Sequence, residues 1–452
     1  MQRSRSLRAL LLVLAFALVT ASCAGRDSEG SSDGPGTTDG GSQGTGGVDT
    51  SNCPDTNTAG ITGDTITLAS SFPQSGLTGA FAQISKGYKA YFDKVNADGG
   101  VEVAGKKYKI EVVDKDDEYN ASKTVNNINE EVGPTGDKAF AVFNVVGTAN
   151  NIAIRESLNE NCVPNLFAAT GSPSWGNPEY PWLVGSTFAP YSLEAKVFAD
   201  HLAAEQPKAK VAMLVQDDDF GKAYEEGFKN AIKGTDITVT EVATYQAGTS
   251  DVASQVTGLA ASGADAFFNG ATLLACPNAL EEANANKWER ETTFVSGTCI
   301  SKTLMGLAGE NADGVFSTTN IKDPLNPAFK HDAAMKEYLS IIDEFGADDV
   351  DPENGIVAYG YTQGALLVKV LGDSPKLTRS DVLNTLRTID TKDVGLLVEG
   401  VTAKMSADDP FLAENLQLIQ YDAANKYFTN VGELIVFEGK TGDLTPKSLI
   451  EN

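Results

Sequence analysis

The sequence predicts an α/β protein of two Rossmann-like lobes, each built on a parallel sheet, joined by three crossings of the chain. Three observations carry this. Strand-like and helix-like segments alternate from about residue 62 onward, and strands separated by helices of 10–15 residues imply a parallel sheet wrapped on both faces. The alternation pauses at Gly171-Ser-Pro-Ser-Trp-Gly-Asn-Pro178 and then starts again. A chain of 452 residues with 41% hydrophobic content is long enough for two or three packed units.

In the first run, Thr65 to Ser70 reads as a strand. Phe81, Ile84, Tyr88, Tyr91, Phe92 and Val95 recur at helical spacing until Asn96-Ala-Asp-Gly-Gly100 stops them. Strands at Tyr108 to Val113, Ala139 to Val146 and Val163 to Ala169 alternate with helices at Ala121 to Val132 and Ala149 to Leu158. The second run opens with the helix Ser192 to Ala204. Strands Lys210 to Val215, Ile237 to Tyr245, Ala264 to Asn269 and Thr292 to Val295 then alternate with helices Gly221 to Ile232, Ser250 to Ser262 and Cys276 to Asn286. After a strand at Gly314 to Thr318, helices at Ala328 to Phe345, Gly355 to Leu371 and Arg379 to Arg387 should return to the first lobe. A hairpin, Leu416 to Tyr421 with Tyr427 to Val431, should belong to the second. The expected lobes are residues 53–187 with 316–400 and residues 188–315 with 401–452, crossing near 186–191, 312–318 and 398–403.

The chain begins with Arg3, Arg5 and Arg8, an apolar run of 11 residues from Ala9 to Val19, and small residues before Cys23. That is the pattern of an export signal over residues 1–22; a membrane span needs roughly 20 apolar residues. Small residues directly before Cys23 resemble the lipobox of bacterial lipoproteins, with Thr20 where a leucine is usual. The resemblance implies lipidation at Cys23; ordinary cleavage near Ser22 is the alternative. Residues 24 to 50 contain nine glycines and no aromatic residue. Such a stretch cannot repay its chain entropy by burial. Residues 23–52 are therefore expected to form a tether, reaching roughly 25–30 Å on average.

Formal net charge is −26, with 35 basic against 61 acidic side chains, a balance that repels phosphate backbones and excludes nucleic acid as a partner. An exported chain can carry disulfides, and four cysteines remain after Cys23. Of three possible pairings, Cys53–Cys162 with Cys276–Cys299 is expected, because each would join strand ends or turns within one lobe. No Cys-x-x-Cys and no histidine cluster suggests a metal.

The search for catalysis is mostly negative. His201 and His331 fall on helical segments among charged neighbours. There is no Gly-x-Ser-x-Gly turn and no His-Glu-x-x-His. Gly439-Lys440-Thr441 echoes the end of a phosphate loop, but its first glycine would fall at Leu434. Asp217 to Asp219 are expected to serve as solvated caps that complement the dipole of the helix that follows. What remains is geometry: ligands of such sheets sit beyond the carboxyl ends of the strands. The loops there, including Gly147-Thr-Ala-Asn-Asn151, Ala168-Ala-Thr-Gly-Ser172, Asn269-Gly-Ala-Thr272 and Ser296-Gly-Thr298, are rich in hydroxyl, amide and small residues. That composition describes a binding site better than a reaction centre.

At these residues the chain resembles the periplasmic-type solute-binding proteins of ABC transporters, in the Leu/Ile/Val-binding branch of the type I fold. The resemblance rests on Leu77-Thr-Gly-Ala-Phe-Ala82, Lys86-Gly-Tyr-Lys-Ala90, Val95-Asn-Ala-Asp-Gly-Gly-Val101, Val112-Val-Asp-Lys-Asp-Asp117 and Val163-Pro-Asn165. It continues through Ala168-Ala-Thr170, Val211-Ala-Met-Leu-Val-Gln-Asp-Asp218, Phe220-Gly-Lys222, Thr249-Ser-Asp-Val252 and Gly263-Ala-Asp-Ala-Phe-Phe268, in order, over residues 62 to about 430. It implies carboxylate-binding hydroxyls at Thr148 and Thr170, and a backbone carbonyl at Ala168, beside Ala169, that accepts from a ligand amine. It implies an aromatic closing residue at Phe220 and another at Tyr359 or Tyr361. Tyr191 and Thr272 are expected to complete the pocket. Amino-acid binders of the family hold the ammonium with an acidic side chain of the second lobe, and Thr298 stands there. A buried ammonium without a charged partner is costly. The expected solute is thus a carboxylate, amide or aromatic acid rather than a plain zwitterionic amino acid.

The resemblance implies a monomeric binder without cofactor that closes on its solute and presents it to the permease subunits of an ABC importer. A sensing subunit of a membrane receptor is the alternative; a secreted hydrolase or an adhesive protein would fit the cleft residues less well.

Overall fold

A computed structural model of the protein describes residues 47–51, 53, 57–132 and 138–452. The expectations for the export signal, for Cys23 and for most of the tether lie outside these residues. The folded body spans Gly46–Asn452.

The first run gives β1 (Ile61–Thr62), β2 (Thr65–Phe72), α1 (Ala82–Ala97), β3 (Val101–Val103), β4 (Lys106–Asp116), α2 (Ala121–Val132), β5 (Ala141–Phe143), α3 (Thr148–Glu160), β6 (Asn165–Ala168) and β7 (Leu183–Gly185). The strands form one sheet in the order β3-β4-β2-β5-β6-β7, with β1 on β2. The second run gives α4 (Tyr191–Glu205), β8 (Lys210–Gln216), α5 (Asp219–Ala231), β9 (Thr238–Tyr245), α6 (Ala253–Ala261), β10 (Ala266–Gly270), α7 (Ala275–Ala285), β11 (Thr292–Val295), α8 (Lys302–Ala308) and β12 (Phe316–Thr319). There follow α9 (Ala333–Phe345), α10 (Gly355–Asp373), α11 (Arg379–Leu386), β13 (Asp390–Thr391), β14 (Ala403–Lys404), β15 (Gln417–Asp422), β16 (Tyr427–Asn430), α12 (Thr441–Leu444) and α13 (Lys447–Ile450). The second sheet runs β16-β15-β12-β11-β10-β8-β9.

At its centre each sheet is buried on both faces, so β5, β6, β8 and β10 read as largely continuous apolar runs, while β4 and β9 at the sides stay partly exposed. Leu68 joins the core under α1 and α10, while its neighbour Ala69 joins the one under α2 and α3. In the second sheet Phe267 and Leu214 point to one side, Phe268 and Met213 to the other.

The fold departs from the sequence expectation in five places. The sheets are parallel only in their centres: β3 on β4, β1 on β2, and the β12-β15-β16 edge pair antiparallel. The boundary expected at 315/316 falls too early, because β12 pairs with β11 and β15 inside the second sheet. The boundary at 400/401 is also early: β14 pairs with β13, and Ala403, Met405 and Leu412 pack into the core of the first lobe. The crossings thus lie between β7 and α4, between β12 and α9, and between β14 and β15. The strand expected to Val146 stops at Phe143, where Asn144 takes a left-handed φ of 54° and turns the chain. The helix expected from Ala328 starts at Ala333, where the Asp332 side chain accepts from the Met335 N–H; an Asn326-capped 3₁₀ turn precedes it.

Candidate functional site

Strand order reverses beside β2 in the first sheet and beside β8 in the second, so loops after β2, β5, β8 and β10 splay at the carboxyl ends and leave crevices. The two crevices face each other across a cavity of about 130 Å³, lined by residues of both lobes. That is close to the roughly 150 Å³ that admits a benzene-sized guest. Its walls are mostly apolar side chains interrupted by hydroxyls.

On the first-lobe wall, α3 begins at Thr148 after Gly147, whose φ is 102° and which offers no side-chain cap. A Cβ at Gly147 would stand 2.8 Å from the Tyr119 ring, so the position requires glycine on both conformational and steric grounds. The Thr148 and Thr170 hydroxyls are 2.5 Å apart and buried, with the Tyr191 hydroxyl against Thr170. Two hydroxyls beside the N–H groups of a helix start form a neutral set of donors for an oxyanion.

Asp117 fixes this corner from beneath. Its buried carboxylate accepts from the Ser71 and Thr124 hydroxyls, the Tyr119 N–H and the Asn150 side chain. Burial nonetheless holds its pKa above the ordinary value. The turn it anchors puts Glu118 and Tyr119 at φ of 51° and 61°, and sends the Tyr119 ring towards Gln216, Asp218 and Tyr245 of the second lobe.

The second-lobe wall starts from α5. Asp218 accepts from the Phe220 and Gly221 N–H groups and is mostly buried, not the solvated cap that the sequence suggests. Phe220 packs edge-on against Tyr191 and Tyr224, at 5.0 and 5.3 Å between ring centres, so it is both core and cavity wall. Thr272 lies on the wall with its N–H donating to Tyr245 Oη. Thr298 sits half-exposed on a 3₁₀ turn capped by Ser296. The next residue, Cys299, is bonded to Cys276 at the start of α7, Cα to Cα 6.3 Å; Cys53 and Cys162 are bonded likewise at 5.5 Å.

Of the residues singled out from the sequence, Thr148, Ala169, Thr170, Tyr191, Phe220, Thr272, Thr298 and Tyr359 line the one cavity. Tyr359 accepts from the Asn144 side chain and lies 4.8 Å from Phe188 between ring centres. Ala168 does not reach the cavity. Its carbonyl, expected to face an amine, already accepts from the Thr170 and Ser186 N–H groups at 2.8 and 3.0 Å. Tyr361 turns away and packs on Tyr91 and Tyr338. His201 rests on Phe294 and Phe316, and His331 is exposed; neither approaches the cavity.

Sequence reasoning missed Glu194. On the first turn of α4, it lines the cavity yet is only 4% exposed. Its carboxylate accepts from the Tyr224 hydroxyl, from the Gly297 N–H at 2.9 Å and from the Thr318 hydroxyl at 2.5 Å. Burial pushes its pKa up to about 7 against the pull of those three donors. The second lobe therefore does present a carboxyl next to Thr298, from a different element, and the sequence argument against an ammonium loses its premise. The available signal was weak: an acidic residue three positions into a helix normally reads as a first-turn dipole partner.

No described helix is long and apolar enough to cross a membrane. Residues 65–426 match the family model described as periplasmic binding protein. A Leu/Ile/Val-binding protein homolog 3 from Brucella melitensis biotype 1 is 26% identical over 268 residues, 59% of this chain and 70% of that one. A substrate-binding periplasmic protein from Ralstonia solanacearum superposes with a TM-score of 0.72 at 24% identity, covering 81% of this chain and all of the other. A branched chain amino acid ABC transporter protein from Thermus thermophilus, with bound valine, does so at 0.72 and 18% identity, covering 84% and 98%. With two lobes of the type I fold meeting over one cleft, and four-fifths of its length matched, the chain belongs to the periplasmic binding protein family.

Proposed function

We propose that the protein captures a small carboxylate-bearing solute between its lobes outside the cytoplasm and hands it, unchanged, to an ABC importer, held to the membrane by a lipid on Cys23. The observation that carries the reading is the paired Thr148 and Thr170 hydroxyls at the uncapped start of α3, set in the cavity beside the Phe220, Tyr191 and Tyr359 rings. Neutral donors at a helix start suit a carboxylate, and the Phe220, Tyr191 and Tyr359 rings suit a compact apolar or aromatic body. The lobes move about the three crossings, with residues 61–185, 333–404 on one side and 191–319, 417–430 on the other. Tyr119, whose ring reaches the second lobe, is the residue that fastens the closed form.

Native mass spectrometry of the purified protein, followed by thermal-shift screening of amino acids, 2-oxo acids, short branched acids and benzoates, tests the reading. A retained or stabilising acid recovered chemically unchanged supports it. A protein that retains nothing and is shifted by no acid in the panel, or that returns its solute altered, overturns it.

A further inference from the structure

Beyond capture itself, the cleft holds a device for reading the polar group that a solute carries beside its carboxylate, an inference that rests on the solute-binding function proposed above. Glu194 is the first member of a continuous hydrogen-bonded chain. The Tyr224 hydroxyl bonds to its Oε1, Tyr224 Oη lies 2.7 Å from Ser296 Oγ, and Ser296 Oγ lies 2.9 Å from Thr298 Oγ1 at the cavity. Tyr224 and Ser296 are fully buried, and either atom of each hydroxyl pair can be the donor. The direction of the whole chain is therefore set at its Glu194 end.

We propose that Glu194 determines which polarity the second-lobe wall offers a solute, through Tyr224 and Ser296 to the Thr298 hydroxyl. With Glu194 ionised, Tyr224 donates to it, Ser296 to Tyr224 and Thr298 to Ser296, which leaves Thr298 Oγ1 an acceptor for an ammonium or N–H on the solute. With Glu194 protonated, every bond reverses. The proton sits on Oε1, because both positions of Oε2 are taken by the Gly297 N–H and the Thr318 hydroxyl. Glu194 then donates to Tyr224, Tyr224 to Ser296 and Ser296 to Thr298, and Thr298 turns its O–H into the cavity towards an oxygen acceptor. Ser296 Oγ also accepts from the Thr298 N–H at 3.1 Å, and in both states each hydroxyl makes one donation. One proton is exchanged with solvent when a solute of the opposite preference arrives.

The surroundings allow both states. A Cβ at Gly297 would stand 2.6 Å from Glu194 Oε2, so a side chain there would push the carboxyl from this position. The titratable groups facing Glu194 are Tyr191 on its own helix and Tyr224 on α5, both pushed above the ordinary tyrosine range by burial and hence neutral. From β12 and the turn after β11 it meets hydroxyls and backbone only. Among the described residues no lysine, arginine or histidine pairs with it. The burial-raised pKa near 7 lies where either state is accessible.

The test uses two probes with one carbon skeleton, L-leucine, with an ammonium at C2, and 4-methyl-2-oxopentanoate, with a carbonyl oxygen there. Calorimetric titrations of the whole protein at about pH 5.5 and 8 should find leucine tightening on the order of tenfold as pH rises, and the oxo acid weakening by a similar factor. Glu194→Gln should flatten both trends and favour the oxo acid, and Thr298→Val should erase the preference. The same pH trend for both probes, or trends that survive Glu194→Gln, would overturn the proposal. Should neither probe bind, that result counts against these acids as solutes, and the relay is judged on the protein alone. The infrared difference spectrum between the same two pH values should contain a protonated-carboxyl band that shifts in Tyr224→Phe and vanishes in Glu194→Gln. A spectrum without that band also overturns it.

Discussion

Glu194 makes the stability of the protein fall as pH rises through the weakly acidic range. In the unfolded chain its carboxyl titrates near 4.5, whereas in the folded protein burial moves it to about 7. Between those values the native state holds a proton that the unfolded state has lost, so unfolding releases protons and raising the pH favours it. The effect is absent below about pH 4.5 and complete above about pH 7. Two and a half units correspond to about 3 kcal/mol, a large fraction of the total for a protein of this kind. Asp114, Asp117, Asp218 and Asp323 are also raised by burial and add slopes of the same sign, so the measurement must be a difference. Glu194→Gln keeps the shape of the protonated side chain: its amide oxygen can accept from the Gly297 N–H and its amide nitrogen can donate to Tyr224. Urea unfolding of both proteins at pH 5, 6, 7 and 8 should give nearly equal stabilities at the lowest pH, with the variant gaining about 3 kcal/mol on the wild type by pH 8. A gap that stays constant within about 0.5 kcal/mol across the series would mean that the carboxyl stays ionised, and the argument from its burial would be refuted.

Thr170→Val keeps the volume but removes the hydroxyl 2.5 Å from Thr148; binding of a carboxylate solute should weaken roughly 10- to 100-fold, the worth of one charge-assisted hydrogen bond, in a calorimetric titration. Phe220→Ala should cost about 3–5 kcal/mol in urea unfolding, because the ring is packed between Tyr191 and Tyr224 as well as lining the cavity; Phe220→Leu should retain most of that stability while still changing affinity. Joint replacement of Cys276 and Cys299 by serine opens a loop of 23 residues and should cost about 3 kcal/mol on the chain-entropy estimate, with the larger loss of affinity for any solute that touches Thr298, since the bond ties that turn to α7. Equal losses in stability and no change in affinity would show that the turn holds its shape without the bond.

The alternation of strands and helices was legible because it is local: Phe267 and Phe268 face opposite sides of one strand, and α5 buries Phe220, Ala223, Tyr224 and Phe228 at helical spacing. Loop hydroxyls at the cleft were legible for a related reason, since strand ends locate them whatever the long-range packing. Lobe boundaries were not, because β12 and the 401–412 segment take their places from partners about 100 residues away in the first case and from a two-residue ladder in the second. Ala168 was misjudged because a carbonyl's availability depends on which N–H groups reach it, and Ser186 comes from beyond β7. Glu194 is the strongest instance. Its neighbours in sequence, Tyr191 to Lys196, mark an ordinary helix start, and nothing local distinguishes it from the exposed acids elsewhere in a chain with 61 of them. What distinguishes it is convergence: Tyr224 is 30 residues on, Gly297 is 103 and Thr318 is 124. A buried carboxyl is made functional by donors that only the assembled second sheet brings together, so the absence of an acid at one aligned position could not establish the absence of an acid on that wall.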